Sequence, residues 1–281
     1  MKKRSILLSV FAILTLLFCI LPTSAASASG SDTRSIPIYL EGERLWGVGA
    51  LLIDSTTYVP LRKMSDAAGD CEISWNEKTR TATVIYDGIT INAKAGDQYI
   101  SANGRYFYTV GKVLNINGSI YVPVRALARA LKLEVAWDAN TRSVHLTHSD
   151  SELIAGSGFY STDEIYWLSR IIHAEAGGEC FDGKVAVGNV VLNRVASKQY
   201  PNTIYGVIFD FRHGIQFTPA YTGTIYNSPS AESVIAAKVC LEGYETVDGA
   251  LFFFNPRIAT SNWISQNRPF AKTIGNHNFY Y

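Results

Sequence analysis

Cysteine is scarce in this chain and does not form an obvious set of disulfides. The 281 residues contain 4 cysteines, of which Cys19 lies in an apolar N-terminal segment, leaving Cys71, Cys180 and Cys240. An odd number does not fit a complete set of disulfides in an exported protein. A Cys180–Cys240 bridge stays open as an alternative, but the spacing does not demand it, and we expect all three to be buried thiols.

Charge is scarce as well, and neither sign dominates. Charged residues make up 17% of the chain, with 25 Lys and Arg against 24 Asp and Glu. A nucleic-acid-binding protein needs a strongly basic surface, so no nucleic-acid partner is expected. The 47% of hydrophobic residues can build extensive cores, and the length fits two domains better than one.

Residues 1–28 have the three-part pattern of a secretory signal peptide. Three basic residues at positions 2–4 precede an apolar run from Ile6 to Leu21, and a small-residue stretch with Ala26-Ser27-Ala28 follows. The alternative is an uncleaved membrane anchor, but the run is shorter than the ~20 residues that a spanning helix needs. Removal of this segment leaves 22 Lys and Arg against 24 Asp and Glu, a formal charge of about −2.

Residues 36–147 contain an internal repeat with an offset of 62 to 63 residues. Thr57-Tyr58-Val59-Pro60-Leu61-Arg62 returns as Ile120-Tyr121-Val122-Pro123-Val124-Arg125, and Trp75-Asn76-Glu77-Lys78-Thr79-Arg80 returns as Trp137-Asp138-Ala139-Asn140-Thr141-Arg142. Each unit predicts a strand ending at the proline, a short helix (64–68 and 126–131), and a hairpin.

The doubled Tyr-Val-Pro-x-Arg motif resembles the copper amine oxidase N-terminal-like domain, a stalk module of exported bacterial proteins. The resemblance covers about 110 residues and implies no copper, since His145 and His148 are the histidines of this region and lie at its end. Packing is the favoured role for Tyr58, Arg62, Tyr121 and Arg125, and glycan binding is the alternative. A wall-associated protein partner of this module is a further expectation. Residues 149–157 are polar and small, which predicts a linker.

The segment from Ser161 to Arg194 predicts two helices joined by a glycine break. Ser161-Thr162-Asp163-Glu164 forms a capping box before the apolar stripe of Ile165, Leu168, Ile171 and Ile172. Glu175 continues this stripe, so its carboxyl should be partly desolvated, with a pKa raised enough to donate a proton near neutral pH. The alternative is that Glu175 and Glu179 are solvated residues at a helix end.

We expect Gly177 and Gly178 to end the first helix in left-handed backbone. Asp182 is the expected N-cap of the next helix, whose apolar positions are Val187, Val190, Val191 and Val195. Glu179 lies in the connection, where a tight turn would let its charge raise the pKa of Glu175 further. A third helix is predicted from Ser228 as N-cap and Pro229 to about Glu242, packed on the second.

Five motifs, in order, resemble the SleB-like spore cortex-lytic cell wall hydrolases over nearly all of residues 163–280. They are Glu175-Ala-Gly-Gly-Glu179, Val185-Ala-Val-Gly-Asn-Val-Val-Leu-Asn-Arg-Val195, Gln216-Phe-Thr-Pro219, Gly249-Ala-Leu-Phe-Phe-Phe-Asn-Pro256 and Ile274-Gly-Asn-His277. One departure is Gly177, where the family commonly has arginine.

The resemblance implies an α+β protein: the repeated strand-helix-hairpin stalk, then a mostly helical, lysozyme-like catalytic domain over residues 161–281. It implies a secreted, wall-associated enzyme that cleaves peptidoglycan glycan strands with Glu175 as the catalytic acid and no cofactor. It favours a lytic transglycosylase, in which one acid suffices because a muramic acid hydroxyl attacks the anomeric carbon. Simple hydrolysis needs a second carboxyl group.

Aromatic and amide side chains downstream are the expected substrate-binding residues. Aromatic faces stack on sugar rings, and amides can hydrogen-bond N-acetyl groups, although core packing is the competing role for any single ring. The set consists of Phe217, Tyr226, Phe254, Asn255, Trp263 and Asn276, with Phe253 beside them.

Two rival functions remain. A metal-dependent wall amidase or peptidase would use ligands from His173, Glu175, Glu179, His213 and His277. His173 and Glu175 are two apart on a helix and face away from each other, and His-Glu-x-x-His is not present, so no metal site is expected. The other rival is a non-catalytic wall-binding protein.

Overall fold

The computed structural model describes residues 34–212 and 214–281. It has a strand-rich N-terminal region, residues 34–148, followed by a mostly helical C-terminal region, residues 156–281. This mixed architecture agrees with the expected α+β class. The predicted signal peptide, residues 1–28, lies outside the described residues. Within the described ranges no helix combines the length and apolar character needed to cross a membrane.

The N-terminal region consists of short strands and two helices. In chain order they are β1 (Arg34–Ile36), β2 (Ile38–Leu40), β3 (Glu43–Arg44), β4 (Ala50–Ile53), β5 (Thr56–Pro60), α1 (Leu61–Ala68), β6 (Cys71–Asn76), β7 (Thr81–Tyr86), β8 (Ile89–Lys94), β9 (Tyr99–Ala102), β10 (Arg105–Tyr108), β11 (Leu114–Ile116), β12 (Ser119–Pro123), α2 (Val124–Ala130), β13 (Leu133–Asp138) and β14 (Ser143–His148).

The two Tyr-Val-Pro strands pair with each other at the centre of a sheet. β5 and β12 are antiparallel, with Val59 opposite Val122, Tyr58 opposite Pro123 and Pro60 opposite Tyr121. The sheet has the order β1-β4-β5-β12-β11. Because equivalent residues of the two repeats face each other around Val59 and Val122, the repeats are related by an approximate twofold axis.

Each proline marks the point where a strand turns directly into a helix. α1 starts at Leu61 and α2 at Val124, with Pro60 and Pro123 as the N-cap residues. The helices thus start two to three residues earlier than the sequence predicted. The fixed φ of proline leads directly into the first turn and its missing N–H leaves no unpaired donor, so no separate connection is needed.

A strand pair follows each helix. β6 pairs with β7, and β13 pairs with β14, both antiparallel. The remaining sheets have the orders β10-β9-β8-β7-β6 and β13-β14-β2-β3. Alternate residues along these strands are buried, as in β8 where Ile89, Ile91 and Ala93 face the core. This period of two is expected of half-buried strands.

The C-terminal region contains helices followed by a small sheet. The elements are α3 (Gly156–Phe159), α4 (Thr162–Ala176), α5 (Phe181–Ala196), α6 (Ile204–Ile208), α7 (Thr218–Thr222), a 3-10 turn (Thr224–Tyr226), α8 (Ala231–Leu241), β15 (Phe252–Phe254), α9 (Trp263–Asn267), β16 (Phe270–Ile274) and β17 (His277–Tyr280). The sheet order is β15-β17-β16.

Helix α5 is the centre of this region. Nearly every residue from Phe181 to Val191 is buried, on all sides of the helix, which is typical of a central core helix. α4 and α8 both pack on α5 and on each other. The expected packing of the third helix on α5 is confirmed. Its expected start was wrong, because Ser230, not Ser228, accepts the capping hydrogen bond, from the Ser233 N–H.

The two regions have separate hydrophobic cores that meet through tyrosines. The N-terminal core contains residues from Ile36 to Leu146, and the C-terminal core begins at Leu168. Tyr99, Tyr106 and Tyr108 of the N-terminal sheet pack against the C-terminal core. Tyr108 stacks on Tyr244, with 3.7 Å between ring centroids.

Polar contacts reinforce this boundary. Asp182, in the first turn of α5, accepts hydrogen bonds from Tyr108 Oη at 2.7 Å and from Gln98 Nε2 at 2.9 Å. The predicted linker is attached to the N-terminal region as well, because the Gly156 N–H donates to Asn103 O at 2.9 Å.

The three cysteines of the described residues are free thiols. Cys240 is buried and donates to Val185 O at 3.3 Å, while Cys180 is exposed at the N-cap of α5. The expectation of a buried thiol therefore holds for Cys240 and is wrong for the exposed Cys180 and the half-buried Cys71, and no Cys180–Cys240 bridge forms.

Candidate active site

Helix α4 carries Glu175 at its second-last position. The predicted cap is confirmed: Ser161 Oγ accepts a hydrogen bond from the Glu164 N–H. Leu168, Ile171 and Ile172 are fully buried against α5 and α8. These contacts fix the helix axis, and so they fix where the last turn places Glu175.

The helix does not end in left-handed backbone as predicted. Gly177 has φ −57° and ψ −32°, which is right-handed helical geometry, and the φ of Gly178 is not positive. The turn is tight at this position, because a Cβ on Gly177 would lie 2.5 Å from the carbonyl oxygen of His173, so a larger residue would have to shift the backbone.

Glu175 has the electrostatic character expected of a general acid. Burial raises the pKa of its carboxyl group to about 7, and the charge of Arg194 opposes part of the rise. Among the described residues, no hydrogen bond reaches this carboxyl group. A carboxylic acid that stays protonated to about neutral pH can deliver a proton to a leaving oxygen.

Arg194 of α5 is a buried cation that the sequence analysis did not single out. It is 4% exposed, its Nε donates to Leu251 O at 2.7 Å, and its Nη1 has no partner. Its guanidinium lies over the rings of Tyr200, Phe217 and Phe252 at 5.0 to 5.6 Å from their centroids. The available signal was a charged residue inside an otherwise apolar helix pattern.

Other polar residues of α5 hold the chain that leads into β15. Asn189 donates to Tyr244 O at 2.7 Å and accepts from the Thr246 N–H at 3.0 Å, while Asn193 donates to Ala250 O at 3.2 Å. These bonds pair backbone groups of Tyr244, Thr246 and Ala250 with side chains of α5. The small sheet is thereby held in a defined position beside α5.

Glu179 does not act on Glu175 in the predicted way. Its carboxylate accepts from the Asn276 N–H and from Asn276 Nδ2, both at 2.9 Å. These hydrogen bonds lower the pKa of Glu179 against the opposing effect of burial, which is the largest contribution. Glu179 is not among the groups that shift the pKa of Glu175. The expected coupling of the two carboxyl groups is therefore wrong.

Glu179 instead stabilises the turn between β16 and β17 by accepting hydrogen bonds from it. Gly275 in this turn has φ +60°, and a Cβ there would lie 2.2 Å from Glu179 Oε2. Asn276, expected to bind an N-acetyl group, uses its amide nitrogen on Glu179. The two turn residues act together on Glu179: Gly275 leaves space for the carboxylate, and Asn276 donates hydrogen bonds to it.

The histidines proposed as metal ligands have different neighbours. His173 Nδ1 faces the Ser230 N–H at 3.4 Å and Ser233 Oγ at 3.5 Å. His277 is buried, and its Nδ1 lies 3.9 Å from Glu179 Oε1. His213 lies outside the described residues. In residues 34–212 and 214–281, no group of three potential ligands lies close enough to hold a metal ion.

The expected sugar-binding aromatics divide into buried and exposed residues. Phe217 is 1% exposed and packs under Arg194, so the expected stacking of its ring on a sugar is wrong. Its position just before α7 places it in the core, which the sequence pattern alone did not separate from a cleft. Phe253 is partly buried, between Phe217 and Phe279.

Tyr226 and Trp263 are accessible. Tyr226 is 59% exposed and lies beside Trp167, with 6.3 Å between ring centroids. Trp167 precedes Glu175 by two turns of the same helix, or ~12 Å along its axis. Trp263 is 52% exposed on α9, and Arg268 lies 5.4 Å from its ring centroid.

Phe254 and Asn255 end the strand β15. The Phe254 ring is partly buried and stacks on Tyr280 at 5.5 Å between centroids. Asn255 Oδ1 accepts from the Arg257 N–H at 3.0 Å, which fixes the turn after the strand. Its amide nitrogen has no hydrogen bond among the described residues, so this donor is available to a ligand.

Comparison with known proteins identifies both regions. Residues 178–280 match the cell wall hydrolase family, and residues 40–146 match the copper amine oxidase N-terminal domain. The cell wall hydrolase match begins at residue 178, three residues after Glu175. Both matches agree with the resemblances noted in the sequence.

Several similar proteins are spore cortex-lytic enzymes. The enzyme of Bacillus cereus is 41% identical over 120 residues, which are 43% of this chain and 45% of that protein. The Bacillus subtilis enzyme is 38% identical over 122 residues, 43% of this chain and 39% of that protein. The chain thus matches less than half of the length of these relatives.

A solved structure is similar to the same part of the chain. It is the catalytic domain of the germination-specific lytic transglycosylase SleB from Bacillus anthracis, with 39% identity, a TM-score of 0.40, and coverage of 46% of this chain and all of that one. The C-terminal region thus contains a match to the cell wall hydrolase family and is similar in sequence to spore cortex-lytic enzymes, and a match to the copper amine oxidase N-terminal domain precedes it.

Proposed function

We propose that this protein is a peptidoglycan lytic transglycosylase in which Glu175 is the general acid and base. The observation that carries the proposal is a carboxyl group at a helix end whose pKa is raised to about 7 by burial. A carboxyl group whose pKa is raised by burial suits a general acid, and such groups concentrate at functional sites. The similarity to spore cortex-lytic enzymes supports peptidoglycan as the substrate, and the bond that we propose is cleaved is the glycosidic bond between N-acetylmuramic acid and N-acetylglucosamine.

One carboxyl group suffices for this reaction. Protonated Glu175 donates its proton to the glycosidic oxygen as the bond to the anomeric carbon breaks. The resulting carboxylate then takes the proton from the C6 hydroxyl of the muramic acid residue, whose oxygen closes a 1,6-anhydro ring. The proton count balances and Glu175 returns to its starting form, so no second carboxyl group has to activate water.

We propose that Glu179 supports the site and takes no part in the proton transfers. It fastens the β16–β17 turn close to the connection between α4 and α5. Substrate contacts are proposed for the accessible members of the predicted set: Tyr226, Phe254, Asn255 and Trp263.

The proposal includes export and a division of labour along the chain. The signal peptide at residues 1–28 would direct secretion, and the protein would act at the cell wall. The N-terminal region at 36–147 would be a separate stalk domain, joined through residues 149–157 to a lysozyme-like catalytic domain at 161–281. A spore cortex and a vegetative wall present the same glycosidic bond, so the chemistry serves either.

The competing function is a metal-dependent amidase that cuts the peptide stems. His173 and His277 would have to leave the neighbours described above to share one ion. Nothing in the geometry favours that rearrangement over proton transfer by Glu175. A wall-binding protein without catalysis is the remaining alternative, and it gives no reason for an isolated carboxyl group with a raised pKa.

The proposal is tested by digesting purified peptidoglycan and identifying the new ends by mass spectrometry. We expect 1,6-anhydromuramic acid ends that persist in the presence of a chelator. Reducing muramic acid ends would indicate hydrolysis instead, and chelator-sensitive release of stem peptides would indicate an amidase. Absence of any product from correctly folded protein would leave wall binding alone.

The matched variant is Glu175→Gln, which keeps the shape of the side chain and removes the transferable proton. General acid–base catalysis contributes about 10²- to 10⁴-fold, and we expect a loss at the upper end of this range or beyond. An unchanged circular dichroism spectrum would show that the fold is intact. Retained cleavage in this variant would contradict the assignment of Glu175.

A further inference from the structure

Two surface grooves of the N-terminal region are related by its internal repeat. One has a volume of about 540 Å³ and is lined by Pro123, Arg125 and Trp137 of the second repeat. The other has a volume of about 290 Å³ and is lined by Pro60, Arg62 and Trp75, the equivalent residues of the first repeat. We call them the larger and the smaller groove.

The pairing of β5 with β12 explains why the grooves come as a pair. Each groove lies between the helix start and hairpin of one repeat and the central strand of the other. Thr56 and Thr57 of β5 complete the larger groove, and the equivalent Ser119 and Ile120 of β12 complete the smaller one. The approximate twofold axis through Val59 and Val122 therefore relates the two grooves as well.

Each groove presents a tryptophan to solvent. Trp75 is 42% exposed and Trp137 is 44% exposed, although indole rings usually contribute to cores or interfaces. Burying such rings against the apolar face of a pyranose is favourable, because the axial C–H groups of a sugar pack on an aromatic plane. Equivalent exposed tryptophans in both repeats fit a binding role better than a packing role.

Each groove also presents an arginine without a protein partner. Arg62, Arg125 and Arg142 are exposed, and among the described residues none of them forms an ion pair or a hydrogen bond. Arg105 and Arg129, by contrast, both bind Glu242. Unpaired guanidinium groups beside an aromatic ring bind carboxylates well, since their forked N–H donors match a carboxylate in two places.

From this combination we infer that the N-terminal region binds a glycan polymer that carries carboxylates, with one sugar at each tryptophan and acidic substituents at the arginines. The polymer is peptidoglycan, whose peptide stems carry free carboxylates. This identification of the polymer rests on the proposed function. Two equivalent grooves on one polymer strand raise the apparent affinity beyond that of either groove alone.

The larger groove ends at the boundary with the C-terminal region. Tyr108 lines this groove, donates to Asp182 of α5 and stacks on Tyr244. A strand held in the larger groove therefore lies next to the start of α5, which follows the connection from α4 that contains Glu179. The smaller groove, on the opposite side of the twofold axis, would hold the strand further away.

The test is binding of the full chain to insoluble peptidoglycan that has been freed of protein by detergent and protease. Glu175→Gln is the parent, so that binding is measured without cleavage. We expect an apparent Kd about tenfold higher or more for the double variant Trp75→Ala/Trp137→Ala, and about two- to fivefold higher for each single variant. Arg125→Ala/Arg142→Ala should weaken binding to intact peptidoglycan more than binding to glycan stripped of its stems.

Trp46→Ala is the matched control, because Trp46 is 78% exposed in the same region and lines neither groove. It should bind as the parent does, and all variants should keep the parent's thermal unfolding midpoint. Equal binding by the double variant and the parent would overturn the inference. So would binding only to walls that retain their proteins, since the occupant would then be a protein.

The outcome is separable from that of the proposed function. Cleavage by the unmodified chain is measured on short soluble glycan fragments, which do not depend on the grooves. Cleavage with unaffected binding in the double variant would overturn only the inference. Groove-dependent binding without cleavage would overturn only the proposed catalysis.

Discussion

Arg105 and Glu242 join the two regions by a two-point ion pair. Arg105 Nε lies 2.8 Å from Glu242 Oε1, and Nη2 lies 2.6 Å from Oε2. The Glu242 side chain is completely buried and also accepts from Tyr160 Oη at 2.6 Å and Arg129 Nη2 at 3.1 Å. One carboxylate at the end of α8 thus binds groups from both regions.

We expect Glu242→Gln to lower the free energy of unfolding by about 3 kcal/mol, because it leaves the partly buried Arg105 without a counter-ion at a site that is closed to water. Chemical denaturation measures the change, and a second transition should appear as the regions separate. Glu41→Gln, at an exposed ion pair with His148, is the control and should have no measurable effect. A single, unshifted transition in Glu242→Gln would show that this contact does not couple the regions.

The pH dependence of cleavage should follow the ionisation of Glu175. Its pKa of about 7 means that the acid form is lost as the pH rises through 7, so the rate should fall on the alkaline side with a midpoint near that value. A pH profile of kcat/KM on soluble glycan checks this. A rate that stays constant from pH 6 to pH 9 would exclude Glu175 as the general acid.

The same ionisation affects stability. A carboxyl group whose folded pKa is raised contributes fully below its ordinary pKa of 4.5, and the contribution is lost as the pH rises through about 7. Glu175→Gln should therefore match the unmodified protein at pH 4.5 and be more stable at pH 8, by about 1–3 kcal/mol. Thermal unfolding at the two pH values measures the difference, and equal midpoints at pH 8 would indicate a solvated Glu175.

Arg194 can be tested by separating its charge from its hydrogen bond. Its positive charge lowers the pKa of Glu175, so Arg194→Met should move the alkaline limb to higher pH. Arg194→Lys keeps the charge and should leave the limb close to its original position, although both variants lose the bond to Leu251 O and some stability. An unchanged limb in Arg194→Met would remove Arg194 from the electrostatics of the site.

Glu179→Gln should weaken the fold and leave the alkaline limb in place. An amide cannot accept both hydrogen bonds from Asn276 as well as a carboxylate does, so we expect a loss of about 1–3 kcal/mol. Because the folded pKa of Glu179 is lowered, this stabilisation is present above pH 4.5 and lost as the pH falls through the folded value. A shift of the alkaline limb of the pH profile in this variant would show that the charge of Glu179 does affect the pKa of Glu175, against the structure.

The sequence was sufficient wherever a feature depends on neighbours along the chain. The Ser161 cap, the buried stripe of α4 and the strands that end at Pro60 and Pro123 are of this kind. The stripe also placed Glu175 where burial raises its pKa. Each of these features is determined by residues that lie within about eight positions of one another in the sequence.

Features that depend on distant segments were missed. Glu179 accepts hydrogen bonds from Asn276, which lies 97 residues later in the chain, and no local sequence pattern predicts a contact over that separation. Phe217 is an aromatic residue of a kind that occurs both in sugar-binding clefts and in cores. Its contacts with Arg194 and Phe253 show that it belongs to the core. Gly177 was expected to supply an unusual backbone angle, and the carbonyl of His173 shows that it supplies space.

The stacking of Tyr108 on Tyr244 and the Glu242 ion pairs hold the N-terminal and C-terminal regions in one arrangement. If the N-terminal region binds a glycan strand, the distance along the strand from the bound sugars to Glu175 is fixed. Glu175 would then reach only the glycosidic bonds at that distance. Such a protein would act as a molecular ruler along the strand. Its products would cluster around a preferred length, whereas a catalytic domain on a flexible tether would cut at random positions.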